Sequence, residues 1–79
     1  MGSEEDVWQY IGVIRDIKCS IREGIFTIEF EGDHEDLSLS SGRESSYFFD
    51  QVGKSPLGLT IGYDLSEFGE LEDVEVLET

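Results

Sequence analysis

The segment from Asp64 to Glu75 holds the first set of side chains whose types and spacing could do chemistry. Asp64, Ser66, Gly69 and Glu75 occupy the first, third, sixth and last positions of a possible calcium-binding loop. Position five is Phe68, which has no oxygen ligand, and both flanks alternate as strands do. We therefore interpret the segment as a β-hairpin in which Gly69 adopts a positive φ, with a calcium-responsive module as an alternative.

Two further motifs favour structural roles over chemistry. Gly53, Lys54 and Ser55 match the end of a phosphate-binding loop, but the glycine that this loop needs five residues earlier is absent. We interpret them as a turn between a helix and a strand. Nucleophilic catalysis would need a base, and the one histidine, His34, lies in a polar turn. The single cysteine, Cys19, ends a strand on an apparently apolar face, where we expect a buried thiol.

Composition also disfavours an enzyme. Carboxylate pairs that hydrolyse a substrate need a cleft, and we expect a domain of 79 residues not to hold one of several hundred Å³. With one His and one Cys, a zinc site would depend on carboxylates, which is uncommon for structural zinc. We predict no catalytic residue, no cofactor and no metal.

Charge is the strongest indication of what the chain contacts. Nineteen acidic residues against five basic ones give a net charge of −14, which focuses negative potential and attracts a basic partner. The acidic side chains concentrate in two clusters. We predict that the partner-binding residues are Glu29, Glu31, Asp33, Glu35 and Asp36 in the first cluster, followed by Asp73 and Glu75 in the second. A purely solubilising role, or an origin in a high-salt organism, is the plainer interpretation of the same charge.

Periodicity predicts three consecutive strands in the first half of the chain. Residues 7–19 are rich in β-branched and aromatic side chains, with Gly12 marking a bulge or bend. Residues 25–31 alternate cleanly, with the phenylalanines and Ile28 on one face and Glu29 and Glu31 on the other. Residues 37–39 form a short third strand after a polar turn, so the three strands form a meander.

The second half predicts a helix and two more strands. Between Ser41, a potential N-cap, and Gly53, a potential C-cap, the apolar spacing fits one or two helical turns. Residues 57–63 and 70–77 alternate again and pair as antiparallel strands. The order β-β-β-α-β-β predicts an all-β fold with one short helix. We expect a small five-stranded antiparallel barrel or strongly curved sheet, OB-like or SH3-like, and an open sheet with the helix on one face is the alternative.

The chain is short enough to form a single domain, residues 1–79, and we expect residues 1–6 to be a disordered acidic N-terminus. One cysteine excludes an intramolecular disulfide, which favours a reducing compartment, and no segment has the length and apolarity of a membrane span. We predict a cytoplasmic protein that is monomeric alone.

These observations favour a non-enzymatic acidic binding protein that occupies a basic surface of a partner protein. It would act as an inhibitor, as an immunity-type antidote to a nuclease, or as a mimic of nucleic acid. Direct binding to nucleic acid is disfavoured, because five basic residues are too few to form a positive groove. The alternative is a small adaptor subunit, supported by the side-chain-poor stripe Gly58, Thr60 and Gly62 and by the unassigned aromatics Trp8, Tyr10 and Phe49.

Overall fold

The computed structural model describes residues 8–78, which form one sheet and one helix around a common core. The predicted disordered segment 1–6 lies outside the described residues. The elements are β1 (Tyr10–Ser20), β2 (Ile25–Phe30), β3 (Leu37–Leu39), α1 (Gly42–Val52), β4 (Thr60–Leu65) and β5 (Leu71–Glu78). The predicted order and the mainly β fold class are confirmed.

The five strands lie in one antiparallel sheet in the order β3-β2-β1-β4-β5. This confirms the meander of the first three strands and the antiparallel pairing of the last two. Strand β1 is central because it pairs with β2 along its second half and with β4 along its first half. The order is compatible with a small barrel-like fold, but β3 and β5 do not pair and the sheet is not closed.

Alternation along the strands builds the core, as period-two patterns predict. In β2, Ile28 and Phe30 point inward and are almost fully buried, while Glu29 points outward. The inner face of the sheet packs against Phe48 of α1, which has no exposed surface. Each such large apolar side chain stabilises the fold by about 1.5–3 kcal/mol.

The predicted bulge at Gly12 is wrong in position. The register between β1 and β2 shifts between Ile14 and Asp16, so the irregularity lies at Arg15. Gly12 serves a different purpose, because a Cβ there would lie 2.8 Å from Phe30 Cδ1 and 2.9 Å from His34 Cδ2. The missing side chain makes room for two rings that pack over the strand.

Helix α1 begins and ends at the predicted caps but is longer than predicted. Ser41 Oγ accepts the backbone N–H of Glu44, and Gly53 follows the helix with a φ of 87°, a backbone conformation that favours glycine. Eleven residues make about three turns. The third turn forms because Phe48 and Val52 are both buried in the core. This burial stabilises a longer helix than the apolar spacing alone predicts.

The carboxylate of Glu44 spans the open seam between β3 and β5. Its Oε1 accepts the backbone N–H of Ser40, just after β3, at 3.1 Å, and its Oε2 accepts that of Leu71 at the start of β5 at 2.8 Å. The hydroxyls of Ser40 and Ser41 donate to Oε1 as well. Although Glu44 is only 8% exposed, its oxygens are hydrogen-bonded, which offsets the cost of burying a carboxylate.

Two details of strand placement differ from prediction. Strand β4 starts at Thr60 instead of residue 57, and Leu57 is exposed in a turn, because the alternating pattern extends beyond the part of the segment that pairs. Cys19 is exposed and not buried. It pairs with Phe26 near the end of β1, where the neighbouring Lys18 is exposed as well.

Within residues 8–78, no helix has the length and apolar character needed to cross a membrane.

Candidate functional site

The predicted binding residues on the strands lie on the outer face of the sheet, but they do not form one cluster. Glu29 lies on β2, whereas Asp73 and Glu75 lie on β5, and β1 and β4 separate the two strands. Three strand spacings amount to about 14 Å. Trp8 lies between β2 and β5, over β4, because a Cβ at Gly62 of β4 would be 2.6 Å from Trp8 Cγ. The stripe of Gly58, Thr60 and Gly62 was expected to leave room for a partner's backbone. At Gly62 that room is filled by the indole of Trp8.

Glu29 is neutralised within the chain. Its Oε1 lies 2.9 Å from Arg15 Nη2 and its Oε2 lies 3.0 Å from Lys18 Nζ. The hydrogen bond from Lys18, followed by that from Arg15, holds the pKa of Glu29 below its ordinary value, and the same contact raises the pKa of Lys18. Among the described residues these are the two ion pairs, so Glu29 offers a partner less free charge than its position suggests.

Asp73 is also engaged, though less strongly. Its Oδ1 accepts the Tyr47 hydroxyl at 2.8 Å and the backbone N–H of Val74 at 3.0 Å. The bond to Asp73, with partial burial, raises the pKa of Tyr47. Glu75 stands opposite Gly62 on the exposed side of the sheet, and within the described chain its carboxylate has no hydrogen-bond partner.

The turn after β2 carries the free charge. We call residues 32–36 the acidic loop; its three carboxylates, Asp33, Glu35 and Asp36, are exposed and bond to no side chain in the part of the protein that the structure describes. Glu31 is exposed just before it. The structure thus divides the first predicted cluster: Asp33, Glu35 and Asp36 are unpaired among the described residues, whereas Glu29 of the same cluster is ion-paired. In the second cluster, Asp73 is hydrogen-bonded within the protein.

His34 fixes the acidic loop to the core. Its Nδ1 lies 2.8 Å from the Glu35 carbonyl oxygen, and since a carbonyl only accepts, Nδ1 carries the proton. Its ring packs 4.3 Å, centroid to centroid, from Phe30, over the space left by Gly12. The sequence placed His34 in a polar turn, correctly, but gave no indication of this ring packing. The loop carboxylates are therefore presented from a supported backbone.

A cavity of about 430 Å³ opens beside this loop. We call it the tyrosine cleft; it is lined by aromatic and acidic side chains, chiefly Tyr10, Asp33, His34, Glu35, Asp36 and Tyr63. The expectation that so small a domain holds no cleft of several hundred Å³ is wrong. The cleft exists because the sheet is not closed, so the end of the barrel-like interior remains open near the start of β3.

The two tyrosines of the cleft are paired across β1 and β4 and stack with ring centroids 5.2 Å apart. Tyr63 is 3% exposed, and its ring also stacks on Phe30. Its hydroxyl has no hydrogen-bond partner among residues 8–78. Burial, with smaller contributions from Tyr10 and Glu35, raises the pKa of Tyr63. An unpartnered hydroxyl thus lines a cleft that also holds three carboxylates.

Sequence patterns alone did not predict this grouping. Alternation predicts residues 57–63 only as a strand and gives Tyr10 no partner, although the two rings lie on one face of adjacent strands. The available signal was chemical: a tyrosine at an inward position brings a hydroxyl that needs water, a partner or a ligand. Glu44 was missed as well, although a glutamate three residues after an N-cap serine is a recognisable capping pattern.

The β4–β5 connection has the geometry of a hairpin, as predicted, and Gly69 has a φ of 82°. Asp64 Oδ1 accepts the backbone N–H of Gln9 at 2.7 Å, and Ser66 Oγ accepts those of Phe68 and Glu70. These oxygens thus have partners in the hairpin and its neighbour. Within the described part of the chain, no group of three His, Cys, Asp or Glu side chains is arranged to hold a metal ion.

Comparison with known proteins finds no matching family model, no similar curated protein and no similar solved structure.

Proposed function

We propose that this chain is a non-enzymatic acidic binding protein whose carboxylates occupy a basic surface of a partner protein. The observation that supports it best is the acidic loop. Asp33, Glu35 and Asp36 are exposed and form no ion pair with any residue from 8 to 78, on a loop that His34 fixes to the core. Unpaired charges on a supported backbone steer a partner of opposite charge and lose little entropy when it binds.

The partner that this chemistry fits is a protein whose basic surface normally binds phosphates. The chain would then act as an inhibitor, an immunity-type antidote to a nuclease, or a nucleic-acid mimic. We place it in the cytoplasm as a monomer, because its thiol, Cys19, is exposed and unpaired and because high net charge opposes self-association.

The adaptor alternative has less support. The most exposed large apolar side chains, Ile21, Leu57 and Phe68, lie in three different turns. An adaptor docked by apolar contacts would need a contiguous patch. A calcium-responsive module has less support too, since Asp64 and Ser66 are already hydrogen-bonded within the protein.

The test is a pull-down from the source organism's lysate at low salt, eluted with a salt step, with the bound proteins identified. We expect one basic nucleic-acid-binding protein, released by salt and displaced by single-stranded DNA. Recovery of a complex that resists salt, or of no specific protein, would contradict the proposal and favour the adaptor.

Matched variants make the test specific to the acidic loop. The double substitution Glu35→Lys and Asp36→Lys should slow association with the captured partner at least tenfold. Glu23→Lys with Asp50→Lys changes the net charge by the same amount at exposed positions elsewhere, Glu23 being at the opposite end of β2. Equal loss in both variants would indicate that only total charge matters.

A further inference from the structure

The charge and the size of the tyrosine cleft together limit the ligands that it can take. Its carboxylates, Asp33, Glu35 and Asp36, repel anions. Its volume, about 430 Å³, is near the lower end of the range for small-ligand sites. It therefore suits a single side chain or a small cation better than an extended substrate.

Tyr63 supplies an oriented polar contact for a ligand in the cleft. The side chain is more than nine-tenths buried, lines the cleft, and has a hydroxyl without a hydrogen-bond partner among residues 8–78. The hydroxyl oxygen reaches the surface of the cleft, since every fully enclosed side-chain oxygen or nitrogen of the described residues has a hydrogen-bond partner. The phenol oxygen accepts hydrogen bonds, so a ligand with N–H donors would satisfy it.

Tyr10 supplies a surface for stacking. One face of its ring stacks on Tyr63, yet the residue is 43% exposed, which leaves ring surface accessible from the cleft. Cations bind favourably over the face of a tyrosine ring. Arginine uses such a site better than lysine, because its guanidinium is planar, weakly hydrated, and able to stack while it donates to carboxylates and a hydroxyl.

We propose that the tyrosine cleft receives the guanidinium of one arginine side chain of the partner, stacked on Tyr10, hydrogen-bonded to the Tyr63 hydroxyl and surrounded by the carboxylates of the acidic loop. This inference rests on the proposed function and gives it an anchor: the exposed carboxylates attract a basic surface, and the cleft selects one residue of that surface. A planar, bidentate cation in a defined cleft also provides specificity that net charge alone lacks.

The experiment uses amino-acid derivatives as probes, so it needs no identified partner. N-acetyl-arginine amide is titrated at low salt into isotope-labelled protein, and backbone amide shifts are followed by NMR. We expect saturable shifts at Tyr10, His34 and Tyr63. N-acetyl-citrulline amide, which has the same shape without the charge, should bind at least tenfold more weakly, and the lysine derivative should bind about threefold more weakly. Equal binding of arginine and citrulline, or shifts confined to the β2 face around Glu29, would overturn the proposal.

A pair of hydroxyl deletions tests the geometry. Tyr63→Phe removes the unpartnered hydroxyl and should weaken arginine binding about three- to tenfold. Tyr47→Phe, on α1, removes a hydroxyl that is bonded to Asp73 and lies outside the cleft, so it should leave arginine binding unchanged. Melting curves establish that both variants fold. If Tyr63→Phe does not, Tyr10→Ala at the exposed ring should produce the same loss, and undiminished binding would refute the site.

A ten-residue polyarginine peptide separates this inference from the proposed function. Salt-sensitive binding that Tyr63→Phe and Tyr10→Ala weaken supports both. Binding of equal strength to the wild type and both variants leaves the acidic surface as the binding site and rejects the cleft. If the single arginine derivative binds in the cleft while the peptide shows no salt-sensitive binding, the cleft stands and the proposed function fails.

Discussion

Glu44 and the acidic loop place the same functional group in opposite surroundings. The Glu44 carboxylate is buried and accepts hydrogen bonds from both sides of the open seam between β3 and β5. The loop carboxylates of Asp33, Glu35 and Asp36 are exposed, and they form no hydrogen bond to a side chain within residues 8–78. Glu29 is intermediate, since Arg15 and Lys18 neutralise it at the surface. Net charge therefore does not measure the charge available for binding; each carboxylate's partners do.

The largest effect should come from removing the buried carboxylate. Glu44→Ala leaves the backbone N–H groups of Ser40 and Leu71 without their acceptor, and we expect the free energy of unfolding to fall by about 3 kcal/mol. Chemical denaturation measures it. Asp50→Ala, at an exposed position of the same helix, is the control and should change stability by less than about 0.5 kcal/mol. Similar losses in both variants would mean that Glu44 does not hold the seam.

The second prediction concerns what supports the acidic loop. Gly12→Ala places a Cβ against Phe30 and His34, and it should destabilise the protein by about 1–3 kcal/mol by displacing rings. The NMR signals of the acidic loop should shift. Gly42→Ala, in the first turn of α1 with no atom near the new Cβ, should instead stabilise the helix by about 0.5–1 kcal/mol. The same sign for both would contradict the packing of Phe30 and His34 over Gly12.

Neutralising the acidic loop should separate binding from stability. In the triple variant Asp33→Asn, Glu35→Gln and Asp36→Asn, we expect the free energy of unfolding to rise by about 0.5 kcal/mol at low salt, because repulsion decreases. Added sodium chloride should raise the melting temperature of the wild type more than that of the variant. A loss of stability in the variant would show that these carboxylates serve the fold, as Glu44 does.

The smallest effect should come from Glu29 and appears in acid. Its pKa lies below the ordinary value of 4.5 because of Lys18 and Arg15. A lowered folded-state pKa contributes stability above pH 4.5, and this contribution is lost as the pH falls through the lower value. Glu29→Gln should therefore make the free energy of unfolding fall less steeply as the pH is lowered below 4.5. Carboxyl NMR titration checks the cause, since Lys18→Met should move the Glu29 pKa upward; an unchanged pKa would contradict the pairing.

Local patterns determined most of the fold. The alternation of residues 25–31 placed Glu29 outward, Ser41 and Gly53 marked the ends of α1, and Gly69 marked the hairpin turn, as the structure confirms. These features depend on backbone geometry and on hydrogen bonds between residues a few positions apart, so neighbouring residues suffice to predict them. Helix length and the start of β4 were predicted less well, because burial of Val52 and exposure of Leu57 depend on distant elements.

The sequence alone thus determined the order of the elements, the outward placement of the strand carboxylates and the strong negative charge. Only the tertiary structure decided which carboxylates are free. It pairs Glu29 with Arg15 and Lys18, places Glu44 against Leu71, 27 positions away, and joins Tyr10 and Tyr63 at the acidic loop. These contacts depend on strand register and on a sheet that does not close, and neither is encoded in the spacing of neighbouring residues.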